Sequence, residues 1–163
     1  MAIASRVLEM IVAYVAASVT AGVTLVAAMI WTPESNIGPI DLDFLHTTAL
    51  FIGMVSTFVA ALAFLPAVAV SWYAERRSKR SPLFYAAAGA AIGVLAFGIY
   101  VALLVWTDDS AERFSSAANM RSAAIVIAIA AAAVAIAGIA GGLTYWAIAG
   151  RKAGWKPVVP VGT

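Results

Sequence analysis

The sequence contains no cysteine. Disulfides, thiolate metal centres and thiol nucleophiles are therefore excluded. Charge is nearly as scarce. Asp, Glu, Lys and Arg make up 11% of the 163 residues, against about 25% in soluble proteins. No acidic residue, lysine or arginine occurs between Phe44 and Tyr73, or between Ser81 and Thr107. His46 is the only histidine. A bis-histidine haem would need a second imidazole from another subunit. No phosphate-cradling Gly loop, nucleophile elbow or His-Glu-x-x-His motif occurs, so no enzyme activity and no cofactor are expected. Nucleic-acid binding is not expected either, because it asks for a basic stripe interleaved with stacking aromatics.

Apolar side chains fill the space that charge leaves. They account for 64% of the chain. A water-soluble globule of this size has too little interior to hide them. Four runs exceed the ~18 apolar residues that mark a membrane-crossing helix, at about 8–31, 45–73, 83–106 and 122–149. Strand-type alternation is missing, which argues against a β-barrel. The expected fold is an all-α membrane protein. A single domain covers 1–163, with four transmembrane helices in an antiparallel up-down bundle. The first run is too long for a cleaved signal peptide and reads as a membrane span.

The few charges are placed unevenly. Arg6, Arg76, Arg77, Lys79, Arg80, Arg151, Lys152 and Lys156 fall on one side of this threading, and only Arg113 and Arg121 on the other. The positive-inside rule puts the larger group in the cytoplasm, together with both termini. "AERRSKRS" (74–81) is then the inner hairpin loop, and Arg76, Arg77, Lys79 and Arg80 are expected to touch anionic lipid headgroups. Ser81-Pro82 suits a helix start. Thr32-Pro33-Glu34 suits an outer turn, and Asp108 or Asp109 suits a cap. Trp72, Tyr73, Tyr85, Tyr145 and Trp146 fall where amphipathic rings favour the interface. Pro66 removes a helical bond to the Leu62 carbonyl and predicts a kink in the second span.

Hydrocarbon gives helices no hydrophobic reason to associate, so close packing must do it. Gly89 and Gly93 in the third span, and Gly138 and Gly142 in the fourth, have the four-residue spacing that lets backbones meet. Ser18 and Gly22 offer a similar face in the first. The hydroxyls of Tyr14, Ser18, Thr20, Thr24, Ser56, Thr57, Tyr100 and Thr144 are the polar groups inside the spans. Ser and Thr there are expected to bond back to their own helix. No ionisable group occupies a span centre, which argues against ion-coupled transport. At the outer end, His46 with Asp41 and Asp43 forms a conceivable set of metal ligands.

Two stretches, "AERRSKRSPLFYAAAGAAIG" (74–93) and "GGLTYWAIAGRKAG" (141–154), resemble segments of small uncharacterised four-helix inner-membrane proteins common in alphaproteobacteria. The resemblance implies a bacterial inner membrane and brings no activity with it. Three functional classes remain. The leading expectation is a non-catalytic accessory or assembly subunit that packs against other membrane proteins or itself. The alternative is a homo-oligomeric channel or carrier for a neutral or lipid-like solute, which needs an open path through the helices. The third is a metal-binding sensor at the outer face.

Overall fold

In a computed structural model, residues 2–30, 42–107 and 117–154 are described. They form four long α-helices: α1 (Ala2–Ile30), α2 (Leu42–Arg77), α3 (Pro82–Thr107) and α4 (Ala117–Ile148). A short 310 turn, Gly150–Lys152, follows α4. No strand occurs among the described residues. All four helices are long and apolar enough to cross a membrane. At about 1.5 Å per residue, even the 26 residues of α3 exceed a ~30 Å hydrocarbon core.

The helices outrun the apolar runs that announce them. α1 begins six residues before the expected start at 8, and α2 continues four residues past the expected end at 73. The added turns carry the charges Arg6, Glu75, Arg76 and Arg77. Hydropathy stops at the edge of the hydrocarbon, but helical hydrogen bonding does not. It continues into the interfacial zone, where charged side chains are paired, as Arg6 and Glu75 are, or solvated, as Arg77 is. "AERRSKRS" is therefore only partly a loop. Its first four residues complete α2, and the chain turns at 78–81. The last turn suits Arg76 and Arg77, which lie against the negative end of the helix dipole. Ser78 stops the helix in a left-handed conformation, φ 50°. Its amide donates to the Glu75 carbonyl at 3.3 Å and that of Lys79 to the Ala74 carbonyl at 2.9 Å, a common way to satisfy helix-end carbonyls.

Side-chain size is sorted inside out. The buried apolar residues are mainly alanines: Ala13, Ala21, Ala74, Ala137, Ala149 and Ala153, with Val26 and Tyr85. Large residues face outward, with Leu65 76% and Leu83 78% exposed. In water this would be ruinous. In a bilayer it is sound, because lipid solvates the large side chains and small ones let helices close. α4 packs extensively on α3 and on α1, and α1 packs on α2. α2 and α3, though consecutive, meet far less.

Candidate functional site

The tightest contact lies between α3 and α4. A methyl group added at Gly89 would overlap the carbonyl oxygen of Gly138, and one at Gly138 would overlap that of Gly89. One at Gly142 would overlap the carbonyl oxygen of Tyr85, and one at Gly93 would come within 2.9 Å of that of Val134. All four glycines singled out by spacing thus lie where bare backbone faces backbone. On the α1–α4 side, Gly141 sits against the Ala17 carbonyl, and the Thr144 and Thr20 hydroxyls approach to 3.4 Å. On the α1–α2 side, Gly22 sits against Ser56, and the Tyr14 hydroxyl donates to the Ala60 carbonyl.

These contacts hold α2 to α1, α1 to α4 and α4 to α3, and leave a cavity of about 660 Å³ that all four helices line. Two aromatic pairs join α2 and α3, and the first of them lines the cavity. Phe58 meets Tyr100 edge-on at 6.2 Å, and Tyr73 stacks with Phe84 at 6.1 Å. On α2 the pairs are roughly 22 Å apart along the axis. Between them lie the lining residues Leu62, Ala63, Ala67 and Val70. Pro66, which cannot donate to the Leu62 carbonyl, falls near the middle of this stretch.

The cavity's shape limits its occupant. Its α2 lining runs from Val55 to Ser71, about 24 Å of helix. An elongated apolar cavity of this kind can take a hydrocarbon chain along its length. The walls are apolar apart from hydroxyls, among them those of Tyr14, Ser18, Ser71 and Tyr100.

One end of the slot is closed firmly. Tyr85, only 4% exposed, stacks on Tyr145 at 5.8 Å, and its hydroxyl donates to the Lys79 carbonyl at 3.2 Å. Tyr85 had the signature of an interfacial ring, yet the backbone approach at Gly142 draws it inward. Beyond the rings, Glu75 ties three segments together. Its carboxylate accepts from Arg6 Nη2 and from Arg6 Nε at 3.2 Å, and from the Gly154 amide at 2.6 Å. Arg6 also donates to Glu9 at 3.0 Å and to the Ala149 carbonyl at 3.0 Å, and Lys152 pairs with Glu9. The start of α1, the α2–α3 hairpin and the chain after α4 therefore meet at one end. Glu75 was overlooked because it stands among five charges, four of them basic. Its single opposite sign was the available signal.

The basic residues of the hairpin separate into two kinds. Arg76 lies over the Trp72 ring, 4.0 Å from its centroid, and Arg80 donates to the Ala153 carbonyl at 3.0 Å. The side chains of Arg77 and Lys79 are exposed and have no partner among the described residues. At the opposite end, Asp43 and His46 are both exposed in the opening turns of α2. Asp41 lies outside the described residues, as do the turn at Thr32-Pro33-Glu34 and Asp108 and Asp109. No cluster of three metal-ligating side chains occurs among the described residues.

Most span hydroxyls bond back to the carbonyl four residues earlier: Ser18, Thr20, Thr24, Thr57 and Thr144 all do so at 2.8–3.0 Å. Ser56 differs. It is 6% exposed, and its Oγ has no partner among the described residues. No protein-family model matches the chain, and no curated protein or solved structure does either.

Proposed function

We propose that the protein is a non-catalytic, four-span component of a bacterial cytoplasmic membrane that holds an apolar, lipid-like molecule between α2 and α3. The slot carries this reading: an apolar cavity lined by all four helices, beside the weakly packed pair α2 and α3. Its volume falls within the ~300–1,000 Å³ of small-molecule sites. A filled centre would have favoured a purely structural subunit. The hydroxyls at the slot wall suit a neutral or weakly polar group on the bound molecule, and no Asp, Glu, His, Lys or Arg lines it.

The threading proposed is antiparallel, with both termini in the cytoplasm. The bias of lysine and arginine supports it, as does the meeting of Arg6, Glu75 and Lys152 at one end. The natural absence of cysteine makes the test direct, since single cysteines need no background removed. Ser81→Cys should react with a membrane-impermeant maleimide only in inverted vesicles, and Thr47→Cys only in intact cells or spheroplasts. The reverse pattern overturns the threading.

Binding is tested by native mass spectrometry of the protein extracted in mild detergent. A retained lipid-sized mass, absent from Ala63→Phe and Ala96→Phe variants of unchanged unfolding midpoint, is the expected result. A second reading, an accessory subunit beside a larger complex, is favoured by the outward alanines of α4, such as Ala132 and Ala147. It predicts a co-purifying membrane protein and an empty slot in the same measurement.

A further inference from the structure

We propose that the slot is the chain site of an anionic phospholipid whose headgroup is held by Arg77 and Lys79. This rests on the binding role proposed above and adds the chemical class of the ligand.

The argument begins with a charge inventory at the closed end of the slot. Glu9 and Glu75 are the only carboxylates there among the described residues, and both are already paired with cations. Glu75 gives one oxygen to Arg6 and the other to the Gly154 amide. Glu9 gives one to Lys152 and the other to Arg6. Most cations are also engaged: Arg6 and Lys152 in these pairs, Arg76 on Trp72, Arg151 on Trp146 and Arg80 on the Ala153 carbonyl. Arg77 and Lys79 remain, with no carboxylate left among the described residues to answer them. An anion from outside the chain is the natural complement.

Their position links them to the slot. Arg77 lies seven residues beyond Val70, a slot-lining residue, and so on nearly the same face of α2. Lys79 lies in the turn that joins α2 to α3, the two helices that frame the opening. The Tyr85 hydroxyl, bonded to the Lys79 carbonyl, fixes that turn above the slot's closed end. A phospholipid entering sideways between Phe58–Tyr100 and Tyr73–Phe84 would lay one acyl chain in the slot. Its phosphate would then reach the hairpin level. Zwitterionic lipids satisfy the chain but return a positive group to two cations, whereas an anionic glycerol headgroup does not.

The test is a lipid titration of detergent-solubilised, delipidated full-length protein, read by native mass spectrometry. Phosphatidylglycerol and phosphatidylcholine with identical acyl chains are the probes. Phosphatidylglycerol is expected to bind about thirtyfold more tightly, from two headgroup-level charges. In an Arg77→Gln/Lys79→Gln double variant the two lipids should bind within about twofold of each other, with phosphatidylcholine unchanged. Ala63→Phe and Ala96→Phe should weaken both. Equal affinities in the natural protein, or a preference that survives the double variant, overturn the headgroup assignment and leave the slot reading standing. If neither lipid binds the natural protein, the slot reading fails as well.

Discussion

α3 makes two contacts that begin from similar material and end differently. Toward α4 it presents Gly89 and Gly93, and α4 answers with Gly138 and Gly142, so backbone meets backbone. Toward the slot it presents Ala88 and Ala96 interspersed with Ile92 and Phe97, and α2 answers with the same mixture of sizes, Leu62 and Val70 beside Ala63 and Ala67. The first contact closes and the second stays open. A small residue therefore does not create an approach by itself. Gly53 on α2 and Gly98 on α3 show the same point, since nothing lies within 4 Å of a methyl group built at either. Close packing in hydrocarbon is reciprocal: dispersion contacts accumulate only when both surfaces are smooth.

The largest expected effect sets these regions directly against each other. Gly138→Val should destabilise the fold by about 3 kcal/mol, because the added methyls meet the Gly89 backbone, which cannot step aside. Gly53→Ala should instead gain about 0.5–1 kcal/mol from helix propensity alone. Detergent-induced unfolding midpoints compare the two. Similar losses at both positions would mean that the α3–α4 contact is not special.

The next effect tests whether the closed end is anchored by Glu75. Glu75→Gln keeps the shape but weakens bonds to a partly buried guanidinium, for an expected loss of about 1–2 kcal/mol. Faster hydrogen exchange at the Gly154 amide should accompany it, since that amide donates to the same carboxylate. Unchanged exchange would show that the chain after α4 is held by other contacts.

A smaller change sharpens the account of the open contact. Pro66→Ala restores a donor to the Leu62 carbonyl and should raise stability by about 1 kcal/mol. If the proline also bends α2, as the sequence leads one to expect, lipid occupancy of the slot should fall in the same variant. Full occupancy in this variant would detach the opening from the proline. The smallest expected effect is at Ser56. Its hydroxyl has no partner among the described residues, so Ser56→Ala should be neutral or stabilise by up to about 1 kcal/mol, while Thr144→Ala should not stabilise.

Much of the helical content was legible in the sequence. Membrane-length helices follow from runs of apolar residues, a local property that each residue adds to independently. The glycine spacings in α3 and α4 marked faces able to meet, because a four-residue repeat keeps them on one side of a helix. Helix ends were less legible. Arg6 and Arg77 read as flanking charge, yet they are helical, since backbone hydrogen bonding runs on past the apolar stretch, and only Arg6 has partners far away in the chain. Tyr85 read as an interfacial ring and is buried, through the backbone approach at Gly142. The single acid among the basic residues of the hairpin was visible. Its bond to a backbone amide 79 positions away was not.

Composition and local pattern alone determined that this chain makes four long helices suited to hydrocarbon, and concentrated its cations near particular ends. Whether two neighbouring helices close or part was decided only in three dimensions. That outcome depends on which side chains the opposing surface supplies at each level, a pairwise property that no single segment contains.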